Sequence, residues 1–338
     1  MADPKRQASV VLVGGETLAG REVRDVLHSS GLPVRVQWTG AEDPSSVTLT
    51  AREGGPVVIS ALDEENLTGA AVVILAGSAA SSRAAFALLK KRSPQPAVID
   101  LTEGLEDLPE ARLRAPMLEP EGYAVDRDAV HTIAHPAAIA MALLLRRIAA
   151  RRAVIQVLAP VSERGQRGVN ELHQQVVGLF TFKPLPKEVF DEQIGFNLLA
   201  RYGAEAPESL AGAEARIDRH LATLLARCSP ATMPSWRLVQ APVFHGYCFS
   251  VWLELERRTE AREIASALAC AQIDVRTGGQ EAPTNVGVAG QSGITVGAIE
   301  NDRNSSQAVW LWAAVDNLRL TADNAAAVAG QLLEAGAQ

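Results

Sequence analysis

The side chains equipped for chemistry are few and scattered. Cysteine is the strongest nucleophile at neutral pH, and the chain has three, Cys228, Cys248 and Cys270. Their wide spacing and odd number exclude a disulfide framework, and no His, Asp or Glu stands beside them at zinc-ligand spacing. Cys248 adjoins Tyr247, and His245 comes two residues earlier, in what reads as one long strand, Leu238–Leu255. Alternate strand residues share a face. His245 and Tyr247 therefore fall together and Cys248 turns away, as a small buried hydrophobe. His135 precedes an apolar helical pattern and reads as a partner for backbone or solvent rather than as a ligand. The remaining motif is Gly14-Gly15-Glu16-Thr17-Leu18-Ala19-Gly20, between an apolar strand and a helix. Dinucleotide-binding folds need glycine in such a turn, for tightness and for close approach of backbone N–H groups to pyrophosphate. Gly14 and Gly20 suit that role, Thr17 stands where a side chain crowds the phosphate, and Glu16 adds a negative charge. Two readings stand open there, a turn kept for folding alone and weak nucleotide binding.

The elements that must hold these residues follow from hydrophobic period. Apolar runs at 9–13, Val34–Trp38, Val57–Ser60, Ala70–Ala76 and Ala97–Leu101 read as strands, with helices through about His28 and from Ser82 to about Arg92. Buried strands alternating with helices predict a doubly wound parallel sheet over the first 130 residues or so. The pattern changes near residue 150. Ala153–Pro160, Leu238–Leu255, Val286–Ile299 and Ala308–Asp316 read as strands, and Gly168–Leu179, 214–227, Ala261–Cys270 and 322–335 as helices. This half predicts a mixed, mainly antiparallel sheet with helices on one face, and 180–213 reads as loop-rich. Pro136 suits the first turn of a helix, Gly165 and Gly168 shape a loop, Asn197 caps or turns, and Asp100 closes a buried strand.

Composition removes several function classes. The 338 residues suggest about two domains, and 32 Lys and Arg against 39 Asp and Glu give a net charge of −7. An acidic chain without a long basic run, with only five Trp, three Tyr and seven Phe, is a poor nucleic-acid or anionic-membrane binder. Arg146, Arg147, Arg151 and Arg152, like Lys90-Lys91-Arg92, read as helix ends, where cations suit the dipole. The longest apolar stretch, Pro136–Leu145, is too short for a bilayer span of about 20 residues. No apolar signal-peptide core opens the chain, and the expected location is cytoplasmic.

Several segments in order resemble the aspartate-semialdehyde dehydrogenase family. SVVLVGGETLAGREVRDVL resembles its first strand, turn and helix. AVVILAGSAASSRAAFALL and AVIDLT resemble its cofactor-side strand, loop and helix and the next strand. PVSERGQRGVNEL, FDEQIGFNLL, QAPVFHGYCFSVWLELE and VDNLRLTADNAA resemble successive segments of its C-terminal domain. The resemblance covers nearly the whole chain. It implies an α/β fold, with a Rossmann-type parallel-sheet domain over 8–134 plus the terminal helix 318–338. An α+β dimerisation domain of semialdehyde dehydrogenase type would span 135–317. It further implies NAD(P) near Gly14, Thr17, Gly20, Gly77 and Ser78, and a homodimer, with Trp252 a candidate for its interface.

In that family a Cys at a helix start attacks the substrate and forms a thioester. Here the matching run is His135-Pro136-Ala137-Ala138-Ile139-Ala140, and Ala138 holds the nucleophile's place. By the same matching, Ala159 replaces a catalytic Gln, Gln240 a substrate-binding Arg and Tyr247 the general acid/base His. Leu105-Glu106 stands where an acyl-phosphate Arg is expected, and Thr39-Gly40-Ala41-Glu42 where a loop holds the NADP 2′-phosphate. Alanine cannot form a thioester, and Tyr titrates near pH 10 unperturbed. The expectation is a degenerate, non-catalytic relative that requires no cofactor, its NAD(P) site weakened. It would act by binding or scaffolding as a homodimer or beside a heteromeric partner, with no nucleic acid and no membrane. The rivals are an active or residual NADP-dependent dehydrogenase relying on a displaced nucleophile such as Cys248, and a nucleotide-binding sensor.

Overall fold

The computed structural model describes residues 8–41, 49–52, 55–58, 62–227 and 232–337. The strands in chain order are β1 (Ala8–Val13), β2 (Val34–Thr39), β3 (Leu49–Arg52), β4 (Gly55–Val58), β5 (Val72–Leu75), β6 (Ala97–Asp100), β7 (Ala111–Arg114) and β8 (Val130–Ile133), then β9 (Ala150–Ala159), β10 (Ser235–Gln240), β11 (Tyr247–Leu255), β12 (Ile273–Val275), β13 (Ile294–Asn301) and β14 (Ala308–Val315). The helices are α1 (Leu18–Ser29), α2 (Ala79–Leu89), α3 (Pro136–Arg147), α4 (Gly165–Thr181), α5 (Leu210–Ala226), α6 (Ala261–Leu268) and α7 (Asn317–Ala337). The chain forms two compact units, Met1–Ala134 with Thr321–Gln338, and His135–Leu320.

The first unit is built on a six-stranded sheet of order β2-β1-β5-β6-β8-β7, parallel throughout. Its inner strands β1 and β5 are apolar on both faces because both are covered. Val10, Leu12, Val72 and Ile74 pack with Val23 and Leu27 of α1 and with Ala325, Val328 and Leu332 of α7. Val11, Val13, Val73 and Leu75 pack on the other face with Ala85, Phe86 and Leu89 of α2. β7 and β8 carry Arg114 and His131 as inward polar residues, which hides them from a search for apolar runs. Arg114 is fully buried. It forms a two-pronged pair with Glu119 at 2.8 Å on each side and donates to His131 Nδ1 (2.8 Å) and Gln331 Oε1 (2.6 Å). A buried arginine is tolerated only with its donors satisfied in this way.

The second unit has a mixed sheet of order β10-β9-β11-β14-β13-β12. β9·β11, β11·β14 and β14·β13 are antiparallel, while the outer pairs β10·β9 and β12·β13 are parallel. α3 is buried along Pro136–Leu145, as expected of a helix that is apolar all round.

The expected strand Leu238–Leu255 is two strands. Pro242 lacks an N–H and Gly246 has φ +84°, so the chain turns at 241–246, and β10 and β11 lie on opposite sides of β9. His245 therefore lies in a turn and shares no strand face with Tyr247. The expected strand Val286–Ile299 begins only at Ile294, and Ala308–Asp316 ends at Val315. Arg151 and Arg152 lie on β9 rather than at a helix end, although Arg146 and Arg147 do occupy the last turn of α3. Gly165 and Gly168 open α4 rather than shaping a loop. Cys270 lies beyond α6, in a bridge to Ile273. Cys228, Glu42 and positions 59–60 of the expected strand Val57–Ser60 lie outside the described residues.

Candidate functional site

In the first unit the glycine turn joins β1 to α1. Gly14, with φ +84°, leaves no room for a side chain, since an added Cβ would fall 2.6 Å from the backbone N of Gly77. The turns after β1 and β5 thus meet at the sheet's switch point, where ligands of open α/β sheets bind. Thr17 is turned inward rather than over the turn. It caps α1 by accepting from Gly20 N (2.9 Å), and its hydroxyl lies 2.8 Å from the Ala76 carbonyl and 2.9 Å from that of Gly14. Ser78 caps α2 in a reciprocal box with Ser81; each such cap is worth about 1 kcal/mol. These side chains serve the fold.

Several polar atoms of the turn are engaged within the protein. The N–H groups of Gly14 and Gly15 both go to the Thr39 carbonyl, at 2.9 and 3.3 Å. Glu16 Oε1 accepts from Ala41 N (2.8 Å), tying the turn to the end of β2. Its other oxygen is buried and has no hydrogen-bond partner among the described residues. A carboxylate there opposes an incoming phosphate.

The second unit gathers the four positions matched to catalytic residues. Ala138 is in the first turn of α3 and fully buried. The N-cap of that helix is His135, whose Nδ1 accepts from Ala137 N (3.2 Å). Its Nε2 therefore carries the proton and donates to Glu163 Oε1 at 2.7 Å. The Nδ1 lone pair of His135 is thereby engaged at the start of the helix. The ring of Tyr247, fully buried, meets His135 edge-on at 5.9 Å between centroids.

Ala159 and Gln240 close the other side. Gln240 Nε2 donates to the carbonyls of Ala159 (2.8 Å) and Ala241 (3.1 Å), and Oε1 accepts from Tyr202 OH (2.6 Å). Both N–H donors of this fully buried amide are used within the protein, and its oxygen is engaged by Tyr202. Tyr202 in turn accepts from Arg164, which is also paired with Glu208.

Glu163 and Arg164 were missed as site residues in the sequence. Their signal was two adjacent charges in PVSERG, between Val161 and Gly165. They occupy a 3-10 turn after β9 that is pinned to the turn between β10 and β11. Val161 N donates to Val243 O (2.9 Å) and Ser162 N to Phe244 O (3.0 Å). Asn317 joins the same junction, accepting from Gly246 N (3.2 Å). Burial opposes the charge on Glu163, but the hydrogen bond from His135, with the positive charge of Arg164 adding, holds its carboxyl well below the usual range. Burial and the nearby Glu163 carboxylate raise the Tyr247 phenol well above its ordinary value. Its hydroxyl has no partner of good geometry among the described residues.

Cys248 points away from this centre, into a cluster with Val288 and Ala314. Burial pushes its thiol up to about 11, with only partial relief from the Asn285 backbone. A thiol so raised is protonated at neutral pH, and the thiol is a far weaker nucleophile than the thiolate. Among the described residues no group of three His, Cys, Asp or Glu is placed to hold a metal ion. Nor is any helix long and apolar enough to cross a membrane.

A parallel-sheet nucleotide-fold unit followed by a mixed-sheet unit, with a polar junction at the start of α3, defines a dehydrogenase-like α/β architecture. Residues 142–320 match the profile of the semialdehyde dehydrogenase dimerisation domain. The chain belongs to the semialdehyde dehydrogenase family. It is 25% identical over 342 residues to an aspartate-semialdehyde dehydrogenase of Rickettsia bellii, covering 97% of this chain and 98% of that one. It is 33% identical over 195 residues, 57% of each chain, to a USG-1 protein homolog of Pseudomonas aeruginosa. The fold is that of aspartate semialdehyde dehydrogenase II from Vibrio cholerae, with a TM-score of 0.81 at 22% identity over 97% of this chain and 99% of that one.

Proposed function

We propose that this chain is a non-catalytic member of its family that acts as a binding or scaffolding homodimer. The observation that carries the reading is Ala138. It stands at the helix start where the family's thiolate would be activated, and a methyl group cannot form a thioester. The other matched positions favour the same reading. Gln240 and the Ala159 carbonyl are hydrogen-bonded to each other, Tyr247 is a protonated phenol, and Cys248, next to it on β11, faces elsewhere. Four losses at one centre are more simply read as one lost activity than as four separate rescues.

Homodimerisation is supported by the matched dimerisation domain and by the open face of the mixed sheet. Val154 and Trp310 are 40% and 44% exposed there, and half-buried Trp252 stands between them in register. A sheet face of that composition is suited to a second copy. NAD(P) binding is a weakened remnant in this reading, because the turn around Gly14, Gly20 and Gly77 retains its form while Glu16 opposes the phosphates.

The test is phosphate-dependent reduction of NADP with aspartate semialdehyde by the purified protein. The expected result is no turnover above background. Turnover that disappears in Cys248→Ala would overturn the reading and favour the displaced-nucleophile enzyme.

A further inference from the structure

Glu163 is held more firmly than a surface loop residue. Its turn is bonded at Val161 and Ser162 to the segment between β10 and β11, and its side chain is only 17% exposed. The carboxylate takes the single ring N–H that His135 has to give and lies against buried Tyr247. The neighbouring cation is not free to compensate an incoming anion, because Arg164 is committed to Glu208 and Tyr202. The donors of Gln240 are committed as well. An anion approaching the start of α3 would meet a fixed negative charge at low local dielectric, where repulsion is strong.

We propose that Glu163 is a resident carboxylate that closes this centre from within, holding the hydrogen bond of His135 and the wall at Tyr247 so that carboxylate and acyl-phosphate ligands are shut out. The proposal rests on the non-catalytic reading of the same centre and adds a cause of closure separate from the missing nucleophile. Replacing Ala138 alone would then not reopen the site. Charge and volume act together, and they can be separated by substitution.

A thiol introduced by Ala138→Cys reports on access. Its alkylation by neutral iodoacetamide and by anionic iodoacetate is followed by peptide mass spectrometry, which distinguishes it from the native cysteines. Three folded proteins are compared, with Glu163 intact, with Glu163→Gln and with Glu163→Gly. With Glu163 intact both reagents react slowly. Glu163→Gln, which keeps volume and removes charge, raises the iodoacetate-to-iodoacetamide rate ratio by about threefold or more. Glu163→Gly raises both rates by about tenfold or more. The proposal is overturned if the introduced thiol reacts as fast with Glu163 present as without it, or if neither substitution changes the rates. Should Glu163→Gly fail to fold, an unchanged ratio in Glu163→Gln is enough to overturn it. Failure of the non-catalytic reading has a different signature, NADP turnover by the unaltered protein.

Discussion

His135 donates from Nε2 to Glu163 Oε1 across 2.7 Å while its Nδ1 accepts the N–H of Ala137. One imidazole thus caps a buried helix and anchors a half-buried carboxylate. Glu163 titrates below its ordinary value of 4.5 in the folded protein. Its contribution to stability is therefore complete above pH 4.5 and lost as pH falls through the lowered folded value. Glu163→Gln is expected to cost about 1–3 kcal/mol at neutral pH and to flatten the fall in stability below pH 4.5. Urea unfolding at a series of pH values checks both; an unchanged acid limb would show that the pair contributes nothing.

His131 supplies a second pH dependence in a different window. Burial, then the charge of Arg114, push its pKa from 6.5 down to about 4. Between those values the unfolded chain binds a proton that the folded one refuses, so stability is complete above pH 6.5 and declines toward pH 4. The full effect is roughly 3 kcal/mol. His131→Gln keeps an acceptor for Arg114 and a donor for the Asp126 carbonyl, and should remove the slope between pH 6.5 and 4 in denaturant titrations.

Glu16 sets the expected response to dinucleotide. Its unpaired buried oxygen stands at the turn where pyrophosphate would approach. Glu16→Gln keeps the acceptor for Ala41 N and should tighten NADP binding by about tenfold, measured calorimetrically. Equal affinity in the two proteins would remove Glu16 as the cause of weak binding.

Trp252 and Trp310 pair in register and both donate to Asp302 Oδ2, at 2.8 and 2.9 Å. If a second copy covers this face, Trp310→Glu buries an uncompensated charge in the interface and should weaken the dimer by about a hundredfold or more. Sedimentation velocity across a dilution series reads the effect. A substituted protein that stays dimeric at the same concentrations would place the interface elsewhere.

The parallel sheet was legible from the chain because β1, β5 and β6 are short, continuous apolar runs bounded by turn residues. β7 and β8 were not, because Arg114 and His131 point inward and break the pattern; their hydrogen bonds to each other and to Glu119, Gln331 and the Asp126 carbonyl are what admit them to the interior. The run from Leu238 to Leu255 reads as one strand because both halves are apolar. Its division depends on β9 entering between them, a pairing that no local period reveals.

At the centre, the sequence by itself determined which reactive groups are lacking. An alanine at position 138 excludes a thioester on that side chain in any conformation, since that is a property of covalent structure. Only the tertiary structure decided what stands in their place. It alone brings the 3-10 turn of Glu163 against His135 from 28 positions earlier and Tyr247 from 84 positions later. Local sequence sets propensity and chemistry residue by residue. The charge state and closure of a buried site depend on desolvation and on partners far apart in the chain, and these exist only once the chain is folded.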